Sequence, residues 1–400
     1  MANDHSAVTA PVTRRRIDSI DLLRGIIIVL MALDHSHDFF GDLKSNPVDL
    51  TTTTAALFFT RWVTHFCAPV FFLLTGTGAY FTGKRMTKAA LTRFLVTRGL
   101  WLIFLELVVM RFALQFNFDY RITIITVLWA LGWAMIVLAA LIWLPDWAIA
   151  LFGVVLIAGH NALDGVDPRS FGAWAPLWNF LHVLGVVWND GRHVVFISYV
   201  LIPWVGVTAL GYVLGRAFEM DASGRKRLLL WLGLTTVGAF LVLRAINGYG
   251  NPAPWSPQHS PLWTFMSFID TNKYPPSLAY LLMTLGPALL LLRRFEDGTP
   301  ALLRPALVFG RVPLFFYVLH FYLIHALAVA ASWIRYGEVA EMFRSPDFAH
   351  FPFSAPPGWA APGLPLVYSV WIAVVAAMYP LCRWYSGLRK RRTDWWLSYL

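Results

Sequence analysis

Charge is scarce in this sequence. Only 14% of its residues are Asp, Glu, Lys or Arg, against about 25% in ordinary soluble domains. A water-facing globular surface is not built at that density, and the 58% hydrophobic content points away from it too. Cysteine is nearly absent: Cys67 and Cys382 both lie inside apolar runs, which excludes a disulfide framework and the usual Cys/His zinc spacings. There is no phosphate-cradling P-loop, no dinucleotide fingerprint and no GxSxG nucleophile elbow. No internal repeat is visible, which disfavours transporters built from repeated halves. Acidic residues are outnumbered, 22 against 32 Lys and Arg, but the excess sits in short clusters between apolar stretches. Membrane orientation explains such clusters better than nucleic acid, and no nucleic-acid partner is expected.

What the chain does have is a series of apolar stretches near the roughly 20 residues that cross a bilayer. Ten spans are expected, at about 19–38, 55–81, 90–112, 122–144, 146–162, 194–218, 227–246, 277–293, 306–332 and 364–385. The polar first residues end in Arg14-Arg15-Arg16 and no small-residue cleavage site follows the first apolar run. That run is therefore expected to be a retained span. With both termini cytoplasmic, the basic groups Arg14–Arg16, Lys84/Arg85/Lys88/Arg93, Arg225-Lys226-Arg227, Arg293-Arg294 and Arg389–Arg392 all fall inside. The expected fold is an all-α polytopic membrane bundle of about ten helices. It comprises a cytoplasmic tail 1–18, a single transmembrane domain 19–385 and a basic cytoplasmic tail 386–400. The long outer loops, 39–54, 163–193, 247–276 and 333–363, are rich in Trp, Pro, Gly, Asn and His. That composition is too aromatic for disorder and suggests a packed surface over a cavity.

The first span, DLLRGIIIVLMALDHSHDFF, carries the most unusual polar groups. At about 100° per residue, Asp21, Arg24, Ile28, Met31, His35 and Asp38 share one helical face. Arg24 and His35 are 11 residues apart, so about 16 Å along the axis. Ionisable groups within a span are costly and mark functional sites by default. The second span adds Arg61 and His65 one turn apart, then Pro69 and the small-residue run TGTG. Arg61 is expected within reach of Asp34 or Asp38. The third carries Arg98 and Glu106. The ninth carries Tyr317, His320, Tyr322 and His325. His320 and His325 are about 140° apart on a helix, which does not make a two-His metal face, and no metal is expected. His35, His65, His320 and His325 all fall in the outer halves of their spans. Imidazole beside carboxylate is equipment for deprotonating a hydroxyl or amine.

Four blocks, RRIDSIDLLRGIIIVLMALDH, RWVTHFCAPVFFLLTGTGAYF, KYPPSLAYLLMTLGPALLLL and GRVPLFFYVLHFYLIHALA, resemble bacterial proteins of the heparan-alpha-glucosaminide N-acetyltransferase-like group in the transmembrane acyltransferase superfamily. The resemblance runs over about residues 15–385. In related sugar acyltransferases an Arg and a His separated by ten residues on the first span are implicated in catalysis, a spacing that Arg24 and His35 match. The lysosomal enzymes carry Asn-Tyr and glycines where this chain has Asp34-His35-Ser36, with their proposed catalytic His in the loop beyond. The loop here, GDLKSNPVDLTTTT, has no His, so the resemblance places the role on His35.

The resulting expectation is a bacterial inner-membrane acyltransferase. It would move an acyl group, acetyl as the first choice, from cytoplasmic acyl-CoA to a hydroxyl or amine of an extracytoplasmic sugar or glycan. His35 is expected to act as general base, oriented by Asp34 or Asp38. Arg24 and Asp21 are expected at the acyl-CoA. Arg61, His65, Tyr317, His320 and His325, with Lys273 and Tyr274 of the third block, are expected to line the substrate pocket, and outer-loop Trp and Asn to form a sugar platform. Membrane lipids are the surrounding partner, and a homodimer is left open. The competing readings are a proton-coupled transporter or flippase for an anionic or glycan-linked solute, and a non-catalytic membrane scaffold.

Overall fold

The computed structural model describes residues 17–41, 46–346, 354–356, 359, 363–392, 394 and 397. Arg14–Arg16, most of the N-terminal tail and parts of the 333–363 loop and of the C-terminal tail lie outside the described residues.

Helix α1 (Asp18–Phe40) is the axis of the bundle. Asp18 and Asp21 sit in its first turn, where negative charge meets the positive end of the helix dipole. The second expected span is two helices, α2 (Ala55–Thr64) and α3 (Cys67–Gly83), separated at His65-Phe66. The third is α4 (Lys88–Phe104), a π-helical turn (Leu105–Met110) and α5 (Arg111–Gln115). Then come α6 (Val127–Leu141), α7 (Asp146–Gly159), the short loop helix α8 (Ala175–Leu181) and α9 (Leu201–Leu214). Next are α10 (Ala222–Ile246), a second loop helix α11 (Pro261–Ile269) and α12 (Leu278–Phe295). Helices α13 (Ala306–Arg311), α14 (Pro313–Tyr336) and α15 (Leu364–Arg391) complete the series. Thr54, Thr87, Asp221, Ser260 and Ser277 cap α2, α4, α10, α11 and α12 by accepting from backbone N–H groups in the first turn.

Among the described residues, seven helical stretches are long and apolar enough to cross a membrane, and the protein is an integral membrane protein. The stretch 127–141 is apolar but shorter, and α1 carries Asp18, Asp21, Arg24, Asp34 and Asp38 within its length. Three expected spans differ at their ends. Ile122–Ile125 and Val194–Ile197 are strands β1 and β3, not helix. Both are runs of mostly β-branched residues, which suit a pleated surface. They pair in parallel, and β2 (Gly185–Asn189) pairs antiparallel with β3, giving the sheet order β1-β3-β2. The fold is thus mostly helical rather than all-α. The ninth span breaks at Val312-Pro313, because Pro313 has no N–H to continue a ladder and instead starts α14.

Helix α1 packs against α3, α12, α13, α14 and α15. Its contact with α13 is backbone on backbone: a Cβ on Gly310 would lie 1.7 Å from the Asp21 carbonyl oxygen, and one on Gly25 would lie 1.8 Å from that of Ala306. Helices α3 and α9 meet in the same way. A Cβ on Gly211 would lie 2.0 Å from the Leu73 carbonyl oxygen, and Thr77 Oγ1 donates to the Gly211 carbonyl at 2.9 Å. The TGTG run is therefore a helix-crossing surface, the use that membrane bundles make of small residues.

Candidate functional site

Two cavities meet beside the C-terminal half of α1. The first, about 680 Å³, runs between α1, α3, α4, α6 and α14. At one end Asp34, His35, Asp38, Arg61, Lys273 and Tyr274 line it, and towards the other Thr82, Phe94, Arg98, Pro313 and Leu314. Cys67 and Thr82, both on its α3 wall, are separated by about 22 Å of helix axis. Its middle is apolar, with Phe71, Leu102, Leu131 and Met135. Ile124 of β1, Phe196 of β3, Ser198 and Tyr199 also line it, so the sheet forms part of its wall. The second cavity, about 720 Å³, lies among the loops and is polar: His37, Asn46, Asp49, His65, Asn251, Asp270 and Asn272 are in its lining. Asp38, Arg61, Lys273 and Tyr274 line both and form the neck between them.

His35 and Asp38 are one turn apart on α1, and His35 Nδ1 lies 3.0 Å from Asp38 Oδ2. With Nδ1–H donating to the carboxylate, Nε2 is left as the accepting nitrogen. The side chains keep 18% and 27% of their surface exposed, His35 in the first cavity and Asp38 in both. The His35 ring packs on Phe321, centroids 4.1 Å apart, and stands 5.4 Å from that of His320. Of the two carboxylates offered by the sequence, Asp38 orients His35. Asp34 turns away into an ion cluster: Arg61 donates to it, Thr64 Oγ1 donates at 2.7 Å, and Lys273 Nζ lies 3.4 Å away. Lys273 is buried, and its ammonium also lies 5.2 Å from the Tyr274 ring centroid. Burial and Arg61 would each lower the Lys273 pKa, but Asp34 and Tyr274 outweigh them and hold it above the ordinary value. Tyr274 packs edge-on against Tyr199, with centroids 5.5 Å apart.

The other expected site residues separate into two groups. His65 is buried, lines the polar cavity and sets its ring edge-on to Tyr280 at 5.5 Å. Tyr317 is buried on the wall of the long cavity. His320 is behind that wall: its Nδ1 donates to the Phe316 carbonyl at 3.0 Å, and it reaches the site by packing beside His35. His325 stands elsewhere. Its ring nitrogens lie 2.9 Å from the Ala113 carbonyl and 3.0 Å from the Met342 carbonyl, and the ring stacks on Phe116 at 3.9 Å. It ties α14 to the end of α5 and lines neither cavity.

Arg24 and Asp21 also stand apart from the cavities. Arg24 Nη1 binds Asp21 at 3.1 Å and the Gly310 carbonyl at 3.1 Å, and neither residue is part of either cavity lining. The close approach of α13 draws the guanidinium onto its own backbone. Arg98 is the cation that lines the long cavity away from the neck. The sequence offers Arg98 only as a charge at apolar depth, since the face of α4 that meets the cavity is set by packing against α6. Glu106, flagged with it, has a structural role: it accepts from Thr126 N, Thr126 Oγ1 and Leu128 N at 2.8, 2.6 and 3.0 Å, satisfying the start of α6. Asn46, Asn251 and Asn272 line the polar cavity, and among the described residues no Trp does. Trp255 instead braces a wall residue: its Nε1 donates to the carbonyl of Arg244, which lines the basin, at 2.6 Å.

The arrangement is a carboxylate-oriented imidazole at the neck between a long, mostly apolar channel and a polar basin. Over residues 16–247, more than half of the chain, the sequence matches the profile of a family described as heparan-alpha-glucosaminide N-acetyltransferase, catalytic. No curated protein matches the chain closely enough to count as a relative.

Proposed function

The chain belongs to the heparan-alpha-glucosaminide N-acetyltransferase catalytic family, and on that premise we propose that it transfers an acyl group, acetyl in the first instance, from acyl-CoA to a sugar or glycan held on the opposite side of a bacterial inner membrane. The observation that carries this reading is the meeting of the two cavities at Asp38, Arg61, Lys273 and Tyr274. A narrow channel with an apolar middle suits the extended arm of an acyl thioester. A basin rich in Asn and Asp suits hydroxyl-bearing rings. The α1 end carrying Arg24 faces the cytoplasm, as the basic clusters require, and the acyl-CoA phosphates stay at that surface.

In the proposed reaction the acceptor sits in the basin with its O–H or N–H towards His35. His35 Nε2 takes that proton as the acceptor oxygen or nitrogen bonds to the thioester carbonyl carbon. Asp38 holds the ring and stabilises the imidazolium. Lys273, a buried cation at the neck, offsets charge on the carbonyl oxygen. The carbon–sulfur bond then breaks, and the thiolate takes the proton back from His35 and leaves as free CoA. Asp34 holds Arg61 and Lys273 in place rather than touching the reacting atoms.

The test is release of free CoA thiol by the detergent-purified protein, supplied with acetyl-CoA and a panel of amino and hydroxy sugars. Acceptor-dependent release that is lost in His35→Ala supports the assignment. Binding and translocation of a solute without turnover would replace it with a transporter.

A further inference from the structure

Away from both cavities, three side chains converge at the end of α7. His160 begins the 3-10 turn that continues this helix (His160–Leu163), Asp164 follows that turn, and His182 follows α8. Their imidazole nitrogens and carboxylate oxygen all lie within 4.8 Å of one another, and among the described residues this is the one group of three or more such side chains able to share an ion. His182 Nε2 lies 3.2 Å from Asp164 Oδ1, and the two imidazoles are edge-on with centroids 5.7 Å apart.

A second observation is independent of that proximity. His160 is 1% exposed, yet among the described residues neither of its ring nitrogens has a hydrogen-bond partner, and Nδ1 of the fully buried His182 has none either. Unsatisfied buried polar atoms are costly, so such a group calls for an occupant. The carboxylate is already aimed. Asn161 Nδ2 donates to Asp164 Oδ2 at 2.8 Å, while Asn161 Oδ1 accepts from Leu278 N at 2.8 Å. Outer-sphere support of this kind orients metal ligands.

We propose that His160, Asp164 and His182 bind one Zn²⁺ ion that pins the α8 loop to the end of α7. Two imidazoles and one carboxylate form a zinc-type donor set, whereas Ca²⁺ and Mg²⁺ favour all-oxygen shells. Zinc bonds of about 2.0–2.2 Å set tetrahedral ligand atoms about 3.3 Å apart, so the three side chains draw inwards by about 1.5 Å at most. Rotation about the side-chain bonds of Asp164, in a loop, and His182, at a helix end, supplies that movement. The ion's role follows from its position: α8 packs on β2, β2 pairs with β3, and Phe196 of β3 lines the long cavity. A HxxxD pair followed by a His 18 residues on is not a recognisable metal spacing, which is why the sequence predicts no metal here.

The test uses the full chain, purified in detergent with an affinity tag that contains no histidine, and measures metal by inductively coupled plasma mass spectrometry. One zinc per chain is expected in the wild type, with loss in His160→Ala and in His182→Ala. After chelation, titration of the wild type with Co²⁺ is expected to give the intense visible bands of tetrahedral cobalt, saturating at one equivalent. These wild-type measurements decide the matter even where a variant fails to fold. Wild-type protein without stoichiometric metal, with a metal other than zinc, or with zinc retained in both variants would overturn the proposal, as would featureless cobalt spectra.

Discussion

His35 Nδ1 and Asp38 Oδ2 are 3.0 Å apart across one turn of α1, and Asp38 is also part of the neck between the two cavities. The pair couples ring orientation to the place where the two substrates would meet. His35→Ala is expected to lower kcat by about 10²–10⁴, the range for a general base. Asp38→Asn should retain binding and lose kcat by a smaller factor. Steady-state kinetics with varied acceptor check both, and equal activity in His35→Ala would remove the imidazole from the chemistry.

Arg98 and Arg24 have separable roles. Arg98 lines the long cavity, whereas Arg24 is bound to Asp21 and the Gly310 carbonyl. Arg98→Ala is expected to raise KM for acyl-CoA about tenfold with kcat little changed, the signature of uniform binding. Arg24→Ala should leave KM near wild type and lower the unfolding midpoint. The reverse outcome would return the donor contact to Arg24.

The Asp34 cluster gives a prediction for stability. Arg61, Thr64 and Lys273 all converge on this one buried carboxylate. Removing one member of a buried ion pair typically costs about 3–5 kcal/mol, because the partner charge stays buried. Asp34→Asn is therefore expected to unfold several degrees early in a detergent thermal ramp. The double change Asp34→Asn with Lys273→Met should recover part of that loss. Additive losses would mean that the two residues are not coupled.

Asp270 faces the polar basin, and burial raises its carboxyl from 3.8 to about 6 although Arg244 opposes the shift. An acid with a raised folded-state pKa binds more protons folded than unfolded between those values. Its contribution to stability therefore falls as pH rises from about 4 to about 6, by on the order of 3 kcal/mol, and then levels off. Asp270→Asn is expected to flatten that part of the stability–pH curve. An unchanged slope would assign the dependence to other groups.

Local periodicity carried much of this from sequence alone. Three-residue spacing on one helix is enough to place His35 beside Asp38, and apolar length is enough to find α10, α12 and α14. Long-range placement was not legible. Arg61 could have reached either carboxylate, and the structure pairs it with Asp34 because Asp34 lies on the side of α1 that α2 and the Lys273 loop share. The strand ends of two spans were hidden because short β-branched runs read equally well as buried helix. His160 and His182 depend on the course of a loop that no periodicity describes.

The backbone contact between α1 and α13, closed by Gly25 and Gly310, has a mechanical meaning. Two helices without intervening side chains have no compressible layer through which to slide or part. The α3–α9 and α4–α6 crossings are closed in the same way, by Gly211 and by the Gly99/Gly132 pair, so each of the three helix pairs moves as a unit and breathing of the channel to admit and release a bulky donor falls to the seams between the pairs. Cross-linking α3 to α4 should block the donor's passage, while a link between α1 and α13 should leave it free.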